Sequence, residues 1–234
     1  MMKYAKIVIG LMVLGLLTGG GTGEDEYARH VKELRVKAGD GFTVVEAKPF
    51  VVAGDEATEV VARRAEQTVK WAVKMLKRDY FAKDPERIID IWLFKDKTSY
   101  EKSCRERFGH APSTPYGFYS DADHAMVMNI ATGGGTLVHE MVHPFMAANF
   151  PGCPAWFNEG MGSLYEQSGE RDGHIIGYTN WRLAGLQKAI KAKALLTFEQ
   201  LCGTSDDTFY GENSGIHYAQ ARYLCYYRFV MSND

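Results

Sequence analysis

The sequence predicts an α+β fold, a small mixed sheet packed on a helical half. Three observations lead there. Short β-branched and aromatic runs are concentrated in the first 130 residues, while period-3.6 segments dominate the remainder of the chain. The order reads strand, helix, strand, helix, hairpin, then helices, which is neither the strict alternation of a parallel α/β fold nor an all-β chain. With 234 residues, 46% of them apolar and 24% charged, the chain can bury one sizeable core.

Residues 24–40 are polar and charged and read as a loose lead-in to a single domain spanning 41–234. Phe42 to Val45 and Phe50 to Val52 read as short strands. Asp55 then opens a helix to about Tyr80, because Val61, Ala65, Val69, Ala72, Leu76 and Tyr80 recur every three or four residues. Ile88 to Phe94 is a strand, and Asp96 can cap a helix running to about Arg107. Tyr116 to Ser120 and Ala125 to Asn129 flank Asp121-Ala122-Asp123-His124 as a hairpin. Glycines 133–135 deliver the chain to Thr136, an N-cap for a helix ending near Asn149 and Pro151. Further helices are expected from about Pro154, over 179–192, and from His217 to Met231.

The helix that Thr136 opens carries His139-Glu140-Met141-Val142-His143. Spacing of i, i+4 sets the two imidazoles one turn apart on one face, where they can share a Zn²⁺ ion. Glu140 between them can then act as a general base. A catalytic zinc wants a third protein ligand, and Glu159 in Trp156-Phe157-Asn158-Glu159-Gly160 can supply it. Glu166 and Glu170 are rivals. Glu166 lies seven residues on, about two turns and roughly 10 Å along a continued helix. Asn158 can orient the loop or a ligand by hydrogen bond, with an ordinary surface asparagine the alternative. Pro144 removes one helical hydrogen bond and crowds the Glu140 carbonyl, so a kink is expected.

HExxH followed by W-x-N-E-G resembles the gluzincin zinc metallopeptidases, closest to peptidase MA-like domains. The resemblance covers roughly residues 88–228. It implies a zincin-like architecture and hydrolysis of peptide bonds, with zinc on His139, His143 and Glu159 and with Glu140 as base. Tyr218-Ala219-Gln220-Ala221 is similar to a tyrosine-led helix start in these families, which implies a catalytic, transition-state role for Tyr218. A core tyrosine in an aromatic helix is the alternative, and His217 is a neighbouring donor. Fifteen residues lie between His143 and Glu159, fewer than in the aminopeptidase branch, and no Gly-x-Met-Glu-Asn stretch precedes the first histidine. Exopeptidase action is therefore not expected. A different class of function stays open, an exported, catalytically inert protein of this fold serving as a binding or scaffold module.

Lys3 and Lys6, the apolar run Ile7 to Leu17 and the small residues to Gly23 form the pattern of a secretory signal over 1–23. The run is short for a bilayer span, so the mature chain is expected outside the cytoplasm, with retention as an anchor the alternative. Without residues 1–23 the formal charge moves from −2 to −4, with 25 basic and 29 acidic residues. That balance argues against nucleic acid as a partner and leaves a peptide or protein substrate. Cys104, Cys153, Cys202 and Cys225 permit two disulfides in three pairings, or buried thiols.

Overall fold

The computed structural model describes residues 23–120 and 122–232; the expected signal segment lies outside them, apart from Gly23. The first element is helix α1 (Gly23–Ala38), where a loose lead-in was expected. Val31, Leu34 and Ala38 explain it. Spaced at three and four residues, they bury one face of α1 against the sheet.

Strands β1 (Thr43–Ala47) and β2 (Phe50–Gly54) form a hairpin. A long helical segment comes next: α2 (Thr58–Arg64), a π-helical stretch (Ala65–Lys70), then α3 (Trp71–Asp79). It starts three residues later than expected, because Asp55 is used elsewhere. Its carboxylate accepts the Lys95 N–H at 2.6 Å and the Ser99 hydroxyl. Strand β3 (Ile89–Phe94) is central and buried at all six positions, as a strand with both faces covered must be. Asp96 caps α4 (Lys97–Arg107), its side chain accepting the Ser99 N–H at 2.8 Å.

Strands β4 (Gly117–Ser120) and β5 (Ala125–Asn129) complete a five-stranded sheet of order β1-β2-β3-β5-β4. β3 runs parallel to β2 and β5, and the outer pairs are antiparallel, so the sheet is mixed as expected. Side-chain alternation divides β3. Ile89, Ile91 and Leu93 join the large core with the α2–α3 segment, while Trp92 and Phe94 pack with α1 and α4. The sheet therefore lies between two helical layers rather than on one.

The second half is mostly helical. α5 (Gly135–Asn149) continues through Pro144, which has no N–H to offer the Glu140 carbonyl. α6 (Ala155–Leu164) packs on α5 and, most extensively, on the penultimate helical element. Between them come a hairpin, β6 (Ser168–Arg171) and β7 (His174–Gly177), then α7 (Arg182–Lys191) and two short helices, α8 (Phe198–Cys202) and α9 (Asp206–Phe209). Helix α10 (Ser214–Tyr226) runs into a π-helical turn at Tyr227–Met231. All four cysteines are unpaired, Cys104 and Cys225 buried and Cys202 exposed. Among the described residues no helix is long and apolar enough to cross a membrane.

Candidate metal centre

Strand β5 ends at Asn129, and a 3-10 turn and three glycines bring the chain into α5. Helical spacing then sets His139 and His143 on one face, ring centroids 4.9 Å apart and nearly perpendicular. The Pro151–Pro154 turn sends α6 back across that face with Glu159 on its second turn. A Cβ on Gly162 would come within 3.1 Å of the His139 ring, so any larger residue there would have to push the ring aside by a few tenths of an ångström.

The three expected ligands converge. Glu159 Oε2 lies 3.1 Å from His139 Nε2 and 3.7 Å from His143 Nε2. One donor atom from each residue falls within 4.8 Å of the others, a group that could hold a metal ion. His139 and Glu159 are each 7% exposed. The remaining atoms of the three groups are also engaged. His143 Nδ1 lies 3.0 Å from Asn158 Oδ1, an acceptor, so Nδ1 donates there and Nε2 is the nitrogen turned to the group. Glu159 Oε1 accepts the Tyr210 hydroxyl at 2.9 Å.

Glu166 corrects the sequence reading. It is not on the α6 face, because that helix ends at Leu164 and the chain turns. Its carboxylate lies on the far side of the His139 ring, Oε1 3.3 Å from Nδ1, close enough for an ion pair but off hydrogen-bond geometry. It is therefore not beside Glu159 in the converging group but behind the His139 ring. Arg182 holds it with a two-pronged fork, Nη2 to Oε1 at 2.6 Å and Nε to Oε2 at 2.9 Å, and Asn180 Nδ2 donates to Oε2 at 3.0 Å. Gly135 permits this approach: a Cβ there would sit 2.1 Å from the Glu166 carbonyl oxygen. Glu170, the other rival, instead accepts from Trp71 Nε1 at 3.2 Å.

The charges result from this packing. Burial alone would lower the His139 pKa, but Glu159 and Glu166 outweigh it and push it up to about 10. Burial would raise both carboxyls. The His139 hydrogen bond on Glu159, and the Arg182 fork on Glu166, instead hold each at about 2. Without a metal, His139 and Glu159 are thus an imidazolium–carboxylate pair. A divalent cation would take the place of the shared proton.

His139 and Glu140 line a cavity of about 730 Å³, bounded by Tyr116 and Gly117 of the sheet edge and by Trp181, Arg182 and Tyr218. Tyr218 lines that cavity and also packs on Phe209. Burial, then the Glu159 carboxylate, raise its phenol well above the ordinary value. His217 does not face the cavity: it is buried, with Nδ1 3.0 Å from the Phe209 carbonyl oxygen. Sequence reasoning missed Tyr210, Arg182 and Asn180. The three lie in loops or at a helix start and have no motif around them. Compared with known proteins, the chain matches no family model and no curated protein.

Proposed function

We propose that this protein is a zinc-dependent metallopeptidase of gluzincin type, exported by its N-terminal segment, in which Glu140 is the general base. One observation carries the reading. Two imidazole nitrogens and a carboxylate oxygen converge within 4.8 Å beside a cavity that Glu140 also lines. Two neutral nitrogens and one carboxylate are a donor set that suits catalytic zinc, and the cavity leaves room for substrate. His139, His143 and Glu159 would hold the ion. When bound, zinc supplies a Lewis acid that polarises a carbonyl and acidifies water.

The chain's own residues do the rest. Glu140 accepts a proton from the attacking water and later passes it to the leaving amine. The Tyr218 hydroxyl on the cavity wall donates to the oxygen that becomes negative as the carbonyl is attacked. Asn158 and Glu166 fix the two imidazoles from behind, so that little reorganisation is needed. Strand β4 is the last in the sheet order, and its Gly117 lines the cavity. An extended peptide can add to that edge and lie across the site.

The test uses protein purified without chelator. It is expected to contain about one zinc per chain and to cleave an unstructured protein such as casein. Glu140→Gln should keep the zinc and lose the cleavage, since an amide cannot accept the proton. Absence of stoichiometric zinc, or full turnover by Glu140→Gln, would refute the proposal.

A further inference from the structure

A second hollow opens off the metal cavity. It has a volume of about 410 Å³ and shares Trp181, Arg182 and Gly215 with the larger one. Trp181 is the large apolar side chain that lines both. It is 65% exposed, unusual for so large an apolar surface. The lining of the hollow also includes Glu212, which is exposed and makes no salt bridge among the described residues. Arg182 is the one cationic side chain in the lining, and it is already committed. Its fork closes on Glu166, and its guanidinium stacks 5.4 Å from the Trp181 ring and 5.2 Å from the Tyr218 ring.

We infer that this hollow is a specificity subsite for a lysine or arginine side chain of the substrate, next to the bond that is cut. This rests on the peptidase reading. The chemistry of the walls selects the charge. A long cationic side chain can lay its methylenes and charge along exposed indole and reach a carboxylate. A neutral apolar side chain would use Trp181 but leave Glu212 in water, and an acidic one would be repelled by Glu212. Because Glu166 neutralises Arg182, Glu212 sets the sign of the hollow.

The experiment is cleavage of a library of random octapeptides, acetylated and amidated at their ends, by the zinc-loaded protein, with cut sites read by mass spectrometry. Lysine and arginine should be enriched about tenfold over leucine and methionine at one position adjoining the cut, the sum of an exposed cation–π contact and a surface ion pair. Glu212→Gln should reduce that enrichment to under about threefold by slowing cleavage beside lysine and arginine, with cleavage beside leucine and methionine and zinc content retained. Glu212→Lys should turn the preference toward aspartate and glutamate. Trp181→Ala should remove the remaining preference for long side chains. Glu212 and Trp181 are exposed, so these variants are expected to fold, and their melting temperatures check it. Cleavage with no basic preference, or a preference unchanged in Glu212→Gln, would overturn the inference and leave the peptidase reading standing. No cleavage by the zinc-loaded wild type would overturn both.

Discussion

Removal of the Glu166 carboxylate should weaken metal binding although Glu166 is not a ligand. Three hydrogen bonds fix that carboxylate, at 2.6, 2.9 and 3.0 Å, and it stands 3.3 Å behind the His139 ring. Groups in that position typically change metal affinity about 10- to 100-fold, or roughly 1.4–2.7 kcal/mol. Glu166→Gln keeps an acceptor but loses the charge, and should fall near the lower end. Glu166→Ala also leaves Arg182 without its fork and should fall near the upper end. A second effect opposes the first. Glu166 helps to raise the His139 pKa to about 10, so its loss makes the proton that the metal must displace easier to remove. The deficit should therefore widen as pH rises from 7 toward 10, where proton competition fades. The assay is competition for zinc against a chelator of known affinity at several pH values, with metal-free melting temperature measured in parallel. Unchanged affinity across that range in a well-folded Glu166→Ala would refute the argument.

Three other outcomes are expected. Metal-free protein should lose thermal stability at both ends of the pH scale. The His139 pKa is raised, so its contribution is complete below about 6.5 and fades as pH climbs toward about 10; the Glu159 and Glu166 pKa values are lowered, so theirs is complete above about 4.5 and fades toward about 2. Stoichiometric zinc should abolish the alkaline decline, and a flat metal-free profile from pH 6.5 to 10 would contradict the ion pair. Gly135→Ala should cost about 1–3 kcal/mol in denaturant unfolding, because its Cβ would meet the Glu166 carbonyl oxygen at 2.1 Å. Gly185→Ala, in a helix with nothing within 4 Å, should cost nothing or stabilise by about 0.5–1 kcal/mol, and equal losses in both would discount the clash. Tyr218→Phe should lower kcat by about 10²–10³ at constant zinc content and melting temperature; an unchanged kcat would return Tyr218 to packing against Phe209 and Arg182.

Where local spacing carries the information, the sequence alone decided the result. An i, i+4 pair on a helix must share a face, so His139 and His143 were legible at once, as was the Asp96 cap from its position before a helical run. Strand β3 and the β4–β5 hairpin were legible from period and composition in the same way. Helix α1 was not legible, because its charged sequence has few apolar residues, and Val31 and Leu34 gain a partner only where the sheet offers a face. The place of Glu166 depends on a still more distant contact. The α6 helix could have run on past Leu164 by its local pattern. It stops where the fully buried Arg222, 59 residues from Ser163, donates to the Ser163 carbonyl at 2.8 Å and also reaches the Leu164 and Tyr178 carbonyls. Only the tertiary fold brings that guanidinium to the helix end. It thereby decides that Glu166 stands behind His139 rather than on the face of α6, where continued helical spacing would have put it.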